Sequence, residues 1–521
     1  MSTKPGAMQA ELLVPKIQAV VSVSGMSQGA TTALGRRSSS AVDGPSAGIS
    51  SSSPASTRSG SIARGVSPAH VTCTACAAPL GAPVVHSLYD ELTGSADTPI
   101  LFAWIPKPLG WTRDELAERT TRCLPAIRPG KDVVALPRLS AVQELWECWA
   151  AEHAMVSWQV IWFEPRLGDV SAYAEALDEI LRSLPRIPEP ADPLCFYPMY
   201  LTQQAEEAGR RFGVRVVGDR AEHELGPLPC AKAWLHPHID PQRRGSNLRD
   251  SLQKAGAKAC RARGPTGYIA SSSAELKAAL QTLRQETPQG TRFVLKPSWA
   301  SGGDGILLDV REEHLEGFSF PDREECTAIL EELVESDETL GDLRSPTLYM
   351  IGDRPCGAPA DQLLRDGGAV NLGNRWPSQL PADLAQACTE AAREVHKSWG
   401  LQSQWGLDFV LDHSGTPIIV DLNMGRPNGN FAVRMWESRA RDRLHLHTSS
   451  WRVPGGLEAQ ELFRCVRMAG LAWNPETARG VIIYQHLPGL ESAYVVASAS
   501  GWEEVNELVA RLEALLAEFD R

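Results

Sequence analysis

The sequence predicts a multidomain α/β and α+β protein, and three observations carry that prediction. Short apolar strands alternate with amphipathic helices between residues 99 and 219. An apolar strand, Phe293-Val294-Leu295, runs into a lysine and a glycine-rich loop. Two alternating strands within 406–424 carry acids inside apolar runs. Alternation of strand and helix argues for an α/β layer, and 521 residues leave room for several domains and a large core.

The first eighty residues differ from the rest. "GRRSSSAVDGPSAGISSSSPASTRSGSIARG" is rich in Ser, Gly, Ala and Arg and has one acid, Asp43. Such a segment buries too little apolar surface to fold alone. A disordered tail over 1–80 is the expectation. Low acid content and scattered arginine also fit an organellar transit peptide, and sequence upstream of the true start is a third reading. Pro15 and Lys16 interrupt the apolar stretch near 11–23, which does not support a secretory signal.

Order is expected from about residue 85. "PILFAWIP" (99–106), "KDVVALP" (131–137), "VSWQVIWFEP" (156–165) and "VRVVGD" (214–219) read as short buried strands. The stretch 139–153 reads as a helix with Leu145, Trp146 and Trp149 on its buried face. These define an N-terminal α/β domain, 81–225.

Composition bounds the function. Apolar and charged fractions of 43% and 22% are those of a soluble globular protein. A net charge of −12 gives no whole-chain signal for nucleic acid, and no apolar run approaches the ~20 residues of a membrane span. The eleven cysteines are scattered, Cys148, Cys195 and Cys388 in apolar segments, which suggests reduced thiols and a cytoplasmic compartment. Cys73 and Cys76 have no second pair or histidine nearby to complete a zinc site.

"GPLPCAKAWL" (226–235) approximates a P-loop but fails it. Ala231 stands where the second glycine belongs and Ala233 where the metal-binding hydroxyl belongs. Lys232 survives as a phosphate candidate. Next, "SSSAELKAALQTL" starts a helix at 271–285, with Ser272 and Glu275 as a capping box and Leu276, Ala279, Leu280 and Leu283 as its stripe. Then comes "KPSWASGGDGI" (296–306). Its glycines let backbone N–H groups approach a phosphate, and Lys296 adds charge. A strand-like "ILLDV" follows, not a helix, which rules out a Rossmann fingerprint. "AILEELV" (328–334) reads as a strand ending in a hinge.

"GLDFVLDHSGTPIIVDLNMGRPNGN" (406–430) is the most informative stretch. A four-residue turn at 413–416 sets Asp408 opposite Asp421, their Cβ atoms ~5 Å apart. That register puts Leu407, Phe409 and Leu411 with Ile418, Val420 and Leu422 on the apolar face, and leaves Asn423 opposite Gly406, whose missing side chain gives a ligand room. Two half-buried carboxylates this close repel unless a cation lies between them. Two Asp and an Asn suit Mg²⁺ (or Mn²⁺). Arg426 can reach a transferring phosphoryl or an oxyanion.

Lys232, "KPSWASGGDGI", the "EELV" hinge at 331–334 and Asp408…Asp421-Leu422-Asn423 together resemble an ATP-grasp ligase over roughly 226–440. The resemblance implies two α+β subdomains sandwiching ATP, with a lid at about 258–330, a pre-ATP-grasp-like domain before them and a small C-terminal α/β subdomain, 441–521. It implies that Lys232 and Lys296 bind phosphates. Ser298, Gly302, Gly303 and Gly305 would belong to the flap. Glu331 and the backbone of Leu333 and Val334 would meet adenine, and Glu338 the ribose. Asp408, Asp421 and Asn423 would hold Mg²⁺. Two positions depart from the family pattern. Asp421 stands where a glutamate is usual, and Gly406 stands where D-alanine–D-alanine ligases carry an arginine, which shifts that role to Arg426 and Arg434.

The implied chemistry is ligation. A carboxylate attacks ATP to give an acyl phosphate and ADP, and an amine displaces phosphate to make an amide. Small-molecule carboxylate and amine substrates follow, an amino acid or peptide among them, with no nucleic acid and no membrane, and with homo-oligomerisation left open. Two alternatives remain at this stage: an ATP-dependent kinase acting on a hydroxyl, and a nucleotide-binding module without catalysis.

Overall fold

The computed structural model describes residues 88–105, 112–166, 170–185, 194–199, 201–218, 264–297, 305–320, 327–336, 345–365, 370–424, 429–437, 444–487 and 491–519. The chain divides into Met1–Pro79 and Leu80–Arg521, and the described residues all lie in the second unit. The expected tail therefore falls outside them, as do Lys232, Ser298, Gly302, Gly303, Glu338 and Arg426. Among the described residues three sheets form: one parallel and two antiparallel.

The parallel sheet holds β1 (Ile100–Ala103), β2 (Val133–Pro137), β3 (Val160–Phe163), β4 (Cys195–Pro198) and β5 (Arg215–Val216) in the order β3-β2-β1-β4-β5. The helices α1 (Leu88–Thr93), α2 (Arg113–Thr121), α3 (Ser140–Glu152), α4 (Val170–Arg182) and α5 (Gln203–Phe212) connect and flank it. Burial on both faces makes its strands read as continuous apolar runs, as expected of a parallel sheet. Every residue of β1, β2 and β4 is buried. On α3, Leu145, Trp146 and Trp149 face the core as the sequence predicts. β4 was not foreseen; "LCFYP" is short and follows a proline-rich stretch.

The small antiparallel sheet is β6 (Gly267–Ala270), β7 (Phe293–Pro297), β8 (Leu307–Leu308) and β9 (Ala328–Glu332), ordered β6-β9-β7-β8, with α6 (Ser273–Glu286) and α7 (Glu312–Glu316). The α6 N-terminus is built as expected. Ser272 Oγ accepts the Glu275 N–H at 3.2 Å. The reciprocal bond lands one residue earlier, with the Ser271 N–H donating to the Glu275 carboxylate at 2.7 Å. Leu276, Ala279, Leu280 and Leu283 are fully buried against one face of this sheet, each leucine gaining about 1.5–3 kcal/mol from burial.

The large sheet contains β10 (Pro346–Ile351), β11 (Arg354–Pro355), β12 (Ala360–Arg365), β13 (Val370–Trp376), β14 (Gln404–Leu411), β15 (Pro417–Met424), β16 (His445–Arg452), β17 (Gly480–Leu487) and β18 (Ser492–Ala499). Its order is β15-β14-β10-β12-β13-β16-β18-β17, with β11 paired to β10. Its helices are α8 (Ala382–Trp399), α9 (Gly429–Glu437), α10 (Ala459–Met468) and α11 (Trp502–Phe519). The segment 441–521, expected as a separate subdomain, has no sheet of its own among the described residues. β16, β17 and β18 extend the large sheet through β13. None of the described helices is long and apolar enough to cross a membrane.

Candidate active site

The hairpin β14–β15 places the acids where the sequence puts them. Asp408 is directly opposite Asp421, and Gly406 is opposite Asn423. Both acids are half-buried. Asn423 Nδ2 donates to Asp408 Oδ2 at 3.2 Å, so an amide already bridges toward one carboxylate. Among the described residues no group of three or more His, Cys, Asp or Glu converges on one point. The donor set here is two carboxylates and one carboxamide, all oxygen donors that a hard divalent cation accepts.

The route to that register differs from the expectation. The Asp412 N–H donates to Thr416 O at 3.1 Å and the Gly415 N–H to Asp412 O at 2.8 Å, which closes a three-residue turn, 413–415. Asp412 Oδ1 accepts from Ser414 N, Ser414 Oγ and Thr416 N, and Gly415 takes the positive φ (75°) that the turn needs. Leu411 then pairs with Pro417, Val410 with Ile418 and Phe409 with Ile419. An inserted residue, Val420, shifts the register so that Asp421 meets Asp408. The apolar face is therefore Leu407, Phe409 and Leu411 with Ile419 and Leu422, packed on Cys388, Ala392 and Val395 of α8. Val420 is not part of that core, contrary to the expectation of an unbroken alternation.

A second correction concerns Gly406. A Cβ there would lie 3.0 Å from the Tyr349 ring, so tyrosine fills the space expected for a ligand. Tyr349 is opposite Gly406 on β10 and is itself contacted by Asn430.

Lys296 lies on β7 opposite Ile329, on the same face as Glu331. Ile329 and its neighbour Ile269 pack into the core that holds Phe409, Ile419 and Leu422, so this face of the small sheet is turned to the hairpin. Lys296 Nζ donates to Val420 O at 3.0 Å and forms an ion pair with the buried Glu331. Glu331 thus pairs with the lysine. Leu333 gives its N–H to Arg292 O at 2.8 Å. Leu333 and Val334 line a cleft of about 360 Å³ with Arg292, Glu335, Asp412 and Ile418. Gly305 holds a positive φ of 69°, with Pro297 packed 3.2 Å from where a Cβ would stand, so glycine is required there.

Arg434 is not aimed at the acids. On α9 its Nε and Nη2 donate to Cys356 O at 3.1 and 2.7 Å, and Nη1 pairs with Glu437. Its guanidinium also lies over the Trp376 ring. The contacts with Cys356 and Trp376 tie α9 to the large sheet. The residue whose placement sequence reading missed is Val420. A β-bulge leaves no compositional mark in an apolar run.

No protein-family model matches the chain, and no curated protein does. Solved structures do. Biotin carboxylase from Campylobacter jejuni, in complex with β,γ-ATP, is 13% identical with a TM-score of 0.47, over 81% of this chain and 91% of that one. Carboxyaminoimidazole ribonucleotide synthase from Aspergillus clavatus, complexed with ATP, is 10% identical with a TM-score of 0.48, over 81% and 99%. The biotin carboxylase domain of 2-oxoglutarate carboxylase from Hydrogenobacter thermophilus, a dimer in complex with MgADP, ADP and bicarbonate, is 15% identical with a TM-score of 0.45, over 80% and 89%.

Proposed function

We propose that the chain is an ATP-dependent ligase that joins a small-molecule carboxylate to an amine and releases ADP and phosphate. The observation that carries this reading is the hairpin, with Asp408 facing Asp421 and Lys296 bound to the backbone immediately before Asp421. Two opposed carboxylates and a carboxamide put oxygen donors on one face of the hairpin, a set that suits a divalent cation. In this reading Asp408, Asp421 and Asn423 hold Mg²⁺ or Mn²⁺, which when bound neutralises phosphoryl oxygens. Lys296 and Lys232 hold the phosphates, together with the N–H groups of the loop from Ser298 to Gly305. Leu333, Val334 and Ile418 supply apolar walls for adenine, and Glu338 takes the ribose.

The carboxylate oxygen of the substrate attacks the γ-phosphorus, the bond to the bridging oxygen breaks, and ADP leaves. The amine then adds to the acyl carbon, phosphate departs with the C–O electron pair, and the nitrogen loses a proton to complete the amide. Arg426 and the lysines stabilise the charge that develops on phosphoryl and acyl oxygens.

The test is product analysis. With Mg²⁺, a library of small acids and amines should give ADP and phosphate, and mass spectrometry should find an amide. AMP and pyrophosphate would overturn the reading, and a stable phosphoester formed without amine would replace it with a kinase. Lys296→Ala should lower turnover on the order of 10²–10³-fold. It also removes the ion pair of the buried Glu331, so the melting temperature should fall. Adding Glu331→Gln should restore the melting temperature and leave turnover low.

A further inference from the structure

Val420 is the inserted residue in the pairing of β14 with β15. The bulge brings Asp421 opposite Asp408 in this sequence, yet the pair would survive loss of Val420 itself. With the three-residue turn, a strand lacking Val420 would run Phe409–Ile419 and then Asp408–Asp421 without interruption. What the extra residue adds is a carbonyl on β15, the edge strand of the large sheet, and that carbonyl accepts from Lys296 at 3.0 Å.

A lysine ammonium has three N–H donors. At Lys296 the Val420 carbonyl takes one, and the buried Glu331 carboxylate holds the ammonium as an ion pair. These two partners belong to different sheets, β15 and β9. One hydrogen bond and one ion pair fix the place of the ammonium, and its side chain is largely buried, with 12% of its surface exposed. We propose that Val420 is a positioning residue for Lys296: its bulged carbonyl holds the ammonium beside Asp408 and Asp421, where it meets the bound nucleotide. This rests on the ligase reading, because it needs a nucleotide at the hairpin.

Deleting Val420 removes the carbonyl and keeps the acid pair in register, whereas Val420→Ala keeps the carbonyl. Binding of Mg·ATP is measured by calorimetry in the wild-type background and in Lys296→Met/Glu331→Gln, where the lysine and its counter-charge are both gone. The deletion should raise Kd by about tenfold or more in the first background and by less than about twofold in the second, because its effect passes through Lys296. Val420→Ala should stay within about twofold of wild type. If circular dichroism shows the deletion unfolded, Val420→Gly loosens the bulge backbone instead and should raise Kd by about threefold, again only where Lys296 is present. An unchanged Kd in the wild-type background, or an equal loss in both backgrounds, overturns the proposal. Wild-type protein that binds no Mg·ATP refutes the ligase reading itself. Normal wild-type binding with additive effects refutes only the role of Val420.

Discussion

The two edges of the large sheet, β15 and β17, belong to hairpins of the same design. Each hairpin pairs two eight-residue strands and each is broken by one bulge. In the first, the inserted Val420 turns its carbonyl to a lysine of another sheet. In the second, Ile483 pairs with Val495 and Gln485 with Tyr494, so Tyr484 is the inserted residue. Tyr484 is 2% exposed. Burial pushes its hydroxyl far above the ordinary range, with Tyr494 adding to the rise and Arg122 opposing it. One bulge presents backbone to a charged partner, while the other fills a core. The local geometry is shared, and the difference lies in what covers the edge: a small sheet with a buried ion pair on one side, the N-terminal helices α2 and α3 on the other.

The comparison can be broken from the first edge. Asp421→Asn should lower ADP release on the order of 10²–10³-fold, since a charge that neutralises the phosphoryl is lost. Thermal stability should hold or rise, because one of two opposed acids is gone. A variant that keeps turnover, or that unfolds, would show that the acid pair serves the fold.

The second edge should answer in the opposite way. Tyr484→Ala removes a large buried side chain and should cost about 3–5 kcal/mol in denaturant unfolding. Mg·ATP affinity, measured where the variant is still folded, should stay at the wild-type value. A matching loss of affinity would mean that the two edges are coupled through the sheet.

A smaller effect sharpens the contrast near the second edge, where α3 packs on α10. Burial raises the Glu152 carboxyl from 4.5 to about 7, although Arg467, 3.5 Å away, pulls it down. Between those values the folded protein keeps a proton that the unfolded chain has released. Stability from this group is thus full below the lower value and is lost as pH rises through the window. Glu152→Gln should flatten that decline, on the order of 1–3 kcal/mol between the two limits. An unchanged pH profile of unfolding would place the titration elsewhere.

The acid pair was legible because charge inside an apolar run must be accounted for, and only one strand register accounts for both Asp408 and Asp421 on one face. The turn was not, because Asp412 folds it through its own side chain, shortening the loop by one residue. The bulge then restored the pairing by a route that apolar alternation does not record. Partners across sheets were equally hidden. Nothing near Lys296 in sequence marks Val420, 124 residues away. Arg434 looked available for catalysis because its long-range acceptor, the Cys356 carbonyl, depends on where α9 docks. The run "TLYMI" of β10 carried a strand signal that reading for chemistry passed over. Without it, the large sheet could not be assembled from sequence.

The continuity of that sheet also bears on synthesis. A ribosome delivers the hairpin 404–424 before β16, β17 and β18 exist. Until 445–452 emerges, β13 offers an unpaired row of N–H and C=O groups along Val370–Trp376. Such an edge is a template for pairing with another chain. A chain truncated at 440 would keep every acid of the proposed site and would make the nascent hazard permanent. With the C-terminal strands present, β16 covers that edge, and its pairing removes the template.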